Sequence, residues 1–161
     1  MGLIEMKTTS AAPVDVVYNL AHSVRDFVYA MPNIKDVRRL DPENDPSFAR
    51  TRWILDVPLP AIFGELSWVK DAFWDDAART CDIRLSPSSR GVVKGIDGAW
   101  AFTPCDQGTL IQMRMTVTVN HPLIGHKTRE TIDTLMKKNI QCLMQAIAER
   151  AEQHAAAPSR A

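Results

Sequence analysis

Two lysines stand where alternation calls for an apolar side chain. In the run 64–74, Lys70 shares parity with Leu66, Trp68 and Trp74; in the run 92–103, Lys94 shares it with Val92, Ile96 and Trp100. An ammonium held among aromatic and aliphatic groups can pair with an acid or polarise a carbonyl. With a depressed pKa it can also condense with a carbonyl as a Schiff base. The competing explanation is structural: a bulge shifts the parity, or a stem snorkels from the end of the sheet, as lysine's aversion to burial favours. Thr51, Tyr29 and Asn139 are further candidate polar handles, each more readily read as a satisfied core or surface group.

Other chemistry is thinly represented. The four histidines (His22, His121, His126, His154) include no i, i+4 pair and no companion Cys or carboxylate at zinc spacing, so they read as surface or helix-cap residues and no metal is expected. No phosphate loop, dinucleotide glycine pattern or GxSxG elbow is present, so no cofactor is expected. Cys81, Cys105 and Cys142 form no CxxC pair and, being odd in number, no disulfide framework. Cys81 and Cys142 fall on apolar parities and read as buried, inert thiols.

The same dry faces carry most of the large side chains. Taking Trp100 and Met113 as inward, Trp53, Trp68, Trp74, Phe102 and Met115 face inward too, with Met136, Asn139 and Leu143 opposite on a helix. Half of such a set is ordinary core, but a strongly curved sheet and one helix cannot close fully, and Met and Trp suit the walls of an adaptable apolar pocket.

The elements that position these residues follow from periodicity. A first strand covers 3–9, and Pro13 with Asp15 opens a short helix whose apolar face is Val14, Val17, Tyr18 and Ala21. A second short helix runs from Asp26 to Met31, then a strand spans Asp36–Leu40. Period-two runs follow at about 48–57, 64–74, 80–86, 92–103 and 109–120, joined by hairpin turns as in an antiparallel meander. Thr109, Ile111, Met113, Met115, Val117 and Val119 make the cleanest dry face. From about Lys127 a helical stripe runs through Ile132, Leu135, Met136, Asn139, Ile140, Leu143, Met144 and Ile147; some 25 residues at about 1.5 Å each span the whole sheet. Residues 1–153 are expected to form one domain, and 154–161 an Ala-rich, frayed tail.

Composition excludes several partners. Nineteen basic residues balance nineteen acidic ones, which gives no field for nucleic acid. No window approaches the 18 apolar residues of a membrane span. The opening MGLIEMKTTSAAP has neither a basic n-region nor an apolar h-region, and a cytoplasmic location is expected. Two apolar loops, one with Leu59, Ile62 and Phe63 and one with Leu123 and Ile124, fit a lid over a cavity mouth or a transient membrane contact. Plugging of the core ends explains them equally well.

The order of elements, with Gly98-Ala99-Trp100-Ala101-Phe102-Thr103-Pro104, Gly108-Thr109 and His121-Pro122-Leu123-Ile124, resembles the START-like superfamily (SRPBCC, birch-pollen-allergen-like). It resembles in particular the polyketide cyclase/dehydrase and coenzyme Q-binding branch. The segment Ala12–Tyr18 through Met31-Pro32 is similar to that branch's opening. The resemblance implies an α+β helix-grip fold, in which a curved antiparallel sheet wraps around a long C-terminal helix. It further implies a cavity for a hydrophobic polyketide, isoprenoid, quinone or lipid. Trp53, Trp68, Lys70, Trp74, Lys94, Trp100, Met113, Met115, Met136, Asn139 and Leu143 are the candidate lining. A polyketide cyclase, aromatase or dehydratase acting on a ligand folded in that cavity is the alternative, with no catalytic residue singled out.

Overall fold

A computed structural model describes residues 2–41, 45–56 and 66–156. Strand β1 (Gly2–Ser10) leads into helix α1 (Val14–Ala21) and a 3-10 helix (Val24–Ala30). Six strands follow: β2 (Ile34–Arg39), β3 (Phe48–Leu55), β4 (Leu66–Asp75), β5 (Thr80–Leu85), β6 (Val93–Cys105) and β7 (Gly108–Val119). Helix α2 (His126–Ala156) ends the described chain. His154–Ala156 are therefore helical, and the remainder of the expected tail lies outside the described residues.

The seven strands form one antiparallel sheet in the order β1-β7-β6-β5-β4-β3-β2. The first two strands thus occupy opposite edges, and the chain between them crosses the open side of the curled sheet as α1 and the 3-10 helix. Helix α2 packs on β1, α1 and the 3-10 helix far more than on the middle strands. Space is left between α2 and β3–β6. The helix-grip architecture expected from the element order is the one observed.

Alternation explains the sheet's two faces. On β7, Thr109, Ile111, Met113, Met115 and Val117 are buried while Arg114 is exposed. On α2, the buried stripe is Ile132, Met136, Asn139, Leu143, Met144, Ile147, Ala148 and Ala151.

Two glycines set the curvature. Gly98 sits on the inward face of β6, where a Cβ would lie 2.8 Å from the Cα of Met115; the missing side chain lets β6 and β7 press together and the sheet bend. Gly108 has φ +128°, and a Cβ there would meet the backbone of Ser10 and Ala11. Next to it, the Thr109 hydroxyl donates to the Ala12 carbonyl at 2.8 Å, and the Ser10 hydroxyl donates to the Ala148 carbonyl at 2.8 Å. The Gly-Thr pair therefore fastens the end of β1 to the sheet, and Ser10 fastens it to α2.

One expected orientation fails. Lys94 is exposed, not turned into the sheet's concave face. The β6–β7 register shifts between Val93 and Gly95, and Val92 and Val93 are buried in succession. The bulge inverts parity ahead of Ile96 and sends Lys94 outward.

Candidate functional site

The hollow of the grip is built on the inward rows of β3 and β4. Trp53 faces Trp68 across the two strands, and their rings stack at 6.3 Å with 12° between planes. The next inward row pairs Thr51 with Lys70, and the row beyond pairs Ala49 with Ala72. Small side chains in that last row leave a gap that the neighbouring large ones do not fill. Trp53, Trp68 and Trp100 are each 6% exposed or less, so indoles wall the site on the sheet side.

An inner cavity of about 40 Å³ lies between these strands and α2. Its walls include Trp53, Trp68, Lys70, Trp100, Met113 and Met115 from the sheet, and Met136, Asn139 and Leu143 from α2. Met31, Ile34, Ile96 and Ile140 complete the lining. Nine of the eleven residues expected to line a cavity are thus brought together.

Lys94 is one of the two that are not, for the reason given above. Trp74 is the other. It lies further along β4, with its ring stacked on His22 at 3.7 Å. Ile124 is buried at 3% and plugs the core beside α2, whereas Leu123 is 59% exposed. Leu59, Ile62 and Phe63 lie outside the described residues.

Lys70 is the inward-facing cation of this face. It is half-buried, and its Nζ stands 4.3 Å from the centroid of the Trp53 ring. Among the described residues its ammonium has no hydrogen-bond or ion-pair partner. Burial pulls its pKa from 10.5 down to about 8. Cys81 is itself buried, and burial pushes its thiol up to about 12, so it remains protonated and supplies no counter-charge. Cys142, expected to be buried, is only half-buried.

Asn139 is the other polar group on the inner wall, and it is fully engaged. Its Oδ1 accepts from the Asn33 backbone N–H at 2.9 Å, while its Nδ2 donates to the Leu135 carbonyl at 2.6 Å and the Asn33 Oδ1 at 3.3 Å. The residue clasps α2 to the turn before β2. Tyr29 is 70% exposed and stands away from the cavity.

A second space of about 40 Å³ shares Trp53, Lys70 and Trp100 with the first and continues to Thr51, Ala72, Trp74, Cys81 and His22. Beyond it, a polar vestibule of about 270 Å³ shares His22, Val24, Ala49 and Thr51 and is edged by Arg25, Asp26 and Arg39. The three spaces adjoin one another: the vestibule and the second space, a throat, share His22 and Thr51, and the throat and the inner cavity share Lys70.

His22 caps the C-terminus of α1, the helix-cap alternative of the sequence reading, and its ring is half-buried. It is held edge-on by Tyr18, stacked on Trp74, and hydrogen-bonded through Nδ1 to the Tyr18 carbonyl at 2.8 Å. A carbonyl only accepts, so Nδ1 carries the proton and Nε2 keeps a lone pair. Burial lowers the pKa of His22, which keeps the ring neutral. Tyr18 completes the corner by donating its hydroxyl to Asp76 Oδ1 at 2.7 Å, and burial first, then Asp76, raises its pKa. The sequence signal for this corner was the i, i+4 spacing of Tyr18 and His22 on the inward face of α1. Among the described residues no three His, Cys, Asp or Glu side chains gather as metal ligands, and no helix is long and apolar enough to cross a membrane.

Residues 1–152 match the family described as "Polyketide cyclase / dehydrase and lipid transport". The chain belongs to that family. Among solved structures, a protein of Thermus thermophilus superposes with a TM-score of 0.77 at 21% identity, covering 96% of this chain and 99% of that one. The Zhui aromatase/cyclase of a Streptomyces species gives a TM-score of 0.74 at 19% identity, with 96% of each chain covered. The STAR-related lipid transfer protein of Xanthomonas axonopodis gives 0.68 at 12% identity, covering 89% of this chain and 84% of that one. At such identities the likeness establishes the START-like fold. A search of curated proteins finds no match.

Proposed function

We propose that this protein holds a hydrophobic small molecule, a polyketide, an isoprenoid or quinone, or a lipid, between the sheet and α2. The observation that carries this reading is the inner cavity, whose wall is Trp, Met, Ile and Leu apart from Lys70 and the self-satisfied Asn139. Binding there needs only burial of apolar surface, worth roughly 25 cal/mol per Å². The family description, which includes lipid transport, points the same way.

The cavity of about 40 Å³ is far smaller than the ~300–1,000 Å³ of a typical ligand site. A ligand must therefore displace wall side chains. Met31, Met113, Met115 and Met136 are the ones to move, since an unbranched thioether changes rotamer at little cost.

A cyclase, aromatase or dehydratase is the second reading, and Lys70 is the observation that favours it. A cation at the wall of an apolar cavity can polarise a ligand carbonyl or hold an enolate where no other described side chain offers a charge. The Streptomyces neighbour named an aromatase/cyclase shares the fold and lends the reading weight.

Native mass spectrometry of the purified protein, followed by melting curves with quinones, fatty acids and aromatic polyketides, tests the first reading. A ligand at one hundred times its Kd adds about 2.7 kcal/mol, which raises Tm by roughly 5–10 °C in a domain of this size. No shift with any apolar class would sink it. Conversion of a supplied poly-β-ketone analogue by the wild type, lost in Lys70→Met, supports the second.

A further inference from the structure

Lys70 and His22 lie on the walls of one throat, and beyond the Trp53 ring under Lys70 and the cap, stack and Nδ1 hydrogen bond of His22, neither Lys70 Nζ nor His22 Nε2 has a polar partner among the described residues. Lys70 lines both the inner cavity and the throat, with no acid beside it among the described residues. His22 lines both the throat and the vestibule, its Nδ1–H spent on Tyr18 and its Nε2 without a hydrogen-bond partner among the described residues. Thr51, directly across from Lys70, accepts the Trp53 indole N–H at 3.1 Å and keeps its own proton to donate. A lysine held for structure alone is usually paired with a carboxylate, and Lys70 has none beside it among the described residues.

We propose that Lys70 is a nucleophilic amine that forms an imine with a ketone or aldehyde carbonyl of the bound ligand, with His22 Nε2 as the proton acceptor across the throat. This rests on the proposed binding of an apolar molecule and assigns that molecule a carbonyl group. The ligand's apolar body fills the inner cavity, and its carbonyl reaches the boundary between cavity and throat, where Lys70 stands. The vestibule supplies the water path.

The steps balance without an oxidant or metal. The neutral Lys70 amine attacks the carbonyl carbon; the C–N bond forms, and the C=O π pair moves to oxygen, which takes up a proton. The carbinolamine then loses its hydroxyl, with one further proton, as water, and the nitrogen lone pair closes the C=N bond of an iminium ion. The iminium acidifies the neighbouring C–H. His22 Nε2 accepts that proton, leaving an enamine and an imidazolium, and its return regenerates the iminium. Hydrolysis releases the carbonyl compound. The minimal observable activity is therefore exchange of protons α to a ketone.

The probe is 2-heptanone, an apolar methyl ketone, supplied with sodium cyanoborohydride to reduce any imine and followed by peptide mass spectrometry. With an ammonium pKa near 8 instead of 10.5, the neutral fraction of Lys70 at neutral pH exceeds that of a surface lysine by on the order of a hundredfold. Lys70 should thus be alkylated at least ~tenfold faster than any other lysine, since nucleophilicity falls with basicity. In D2O the wild type should incorporate deuterium α to the carbonyl. Lys70→Met and Lys70→Arg should abolish both signals, and His22→Gln should retain trapping while slowing exchange. Melting curves establish that each variant is folded. Alkylation of Lys70 at the rate of surface lysines in the folded wild type overturns the proposal, as does exchange that survives in Lys70→Met. Stabilisation by 1-heptanol, which has no carbonyl, separates the two ideas. If the alcohol stabilises and the ketone is not trapped at Lys70, the imine falls and apolar binding stands; if neither occurs, both fall.

Discussion

Lys70 and His22 each hold an ionisable group partly out of water, and each leaves a signature in the pH dependence of folding. For Lys70 the folded pKa is about 8 and the ordinary value 10.5. Below pH 8 both folded and unfolded chains are protonated and the full cost of burying the charge is felt. Between 8 and 10.5 the folded chain releases its proton first, so this group's contribution to stability rises with pH there. Lys70→Met should accordingly stabilise the protein at neutral pH by on the order of 2–3 kcal/mol, an advantage that fades across that window. Chemical denaturation of both proteins at matched pH measures it. The comparison must be a difference, because Cys81, whose pKa is raised from 9.0 to about 12, pulls stability the other way at high pH. A variant no more stable than the wild type at neutral pH would mean the ammonium is well solvated. His22 is a depressed base nearer neutrality: its contribution is full above its ordinary value of 6.5 and is lost as pH falls, because the unfolded chain takes the proton first. His22→Gln should flatten the fall in denaturation midpoint between about pH 7 and 5. Unchanged acid sensitivity would place the ring in water.

At the scale of elements, the Gly-Thr pair at the start of β7 is the fastening to test. Thr109→Val keeps the shape but leaves the Ala12 carbonyl without its buried donor, and should cost about 1–3 kcal/mol by urea unfolding. Gly98→Val should cost more, about 3 kcal/mol or above, because its side chain would enter the backbone of Arg114 and Met115. Equal costs for the two would show that the sheet bends elsewhere. The strands were legible because a half-buried sheet imposes a period of two: the run read at 109–120 is β7, Gly108–Val119. The stripe of α2 was legible for the corresponding reason at helical period. Lys94 was misplaced because a bulge changes parity without changing composition; Gly95, within the run, was the trace it left. The 3-10 helix, expected as a helical turn from Asp26 to Met31, begins two residues earlier and carries too few residues to show a stripe. The throat was the least legible part. It is made by His22, Thr51 and Trp74, which come from three elements, and by the smallness of Ala49 and Ala72, a property of what those positions lack.

For the whole molecule, sheet order matters more than any single contact. The chain's first strand pairs with its last, Gly2 opposite Val117, and its second strand holds the far edge beside β3. On a ribosome, β2 to β6 emerge and pair as a meander while β1 still waits for a partner more than one hundred residues away. Throughout that interval the aromatic face of β3–β6 has no α2 to cover it, and β6 offers an unpaired edge. Long-range pairing of this kind makes folding slow, on the scale of milliseconds to seconds. Refolding should be rate-limited by docking of β1 and α2, so Ser10→Ala and Thr109→Val should slow refolding more than Arg50→Ala, which removes an outer-face pair with Asp71. Stopped-flow tryptophan fluorescence reads this directly, and a larger effect from Arg50→Ala would reverse the order of events. An arrangement in which β1 and α2 must both dock before the interior is sealed also bears on how the proposed site would be filled. A nascent chain passes through a stage when the indoles of Trp53, Trp68 and Trp100 face water and any apolar molecule can reach them without crossing a throat. Cargo captured during synthesis would be enclosed as the last helix docks.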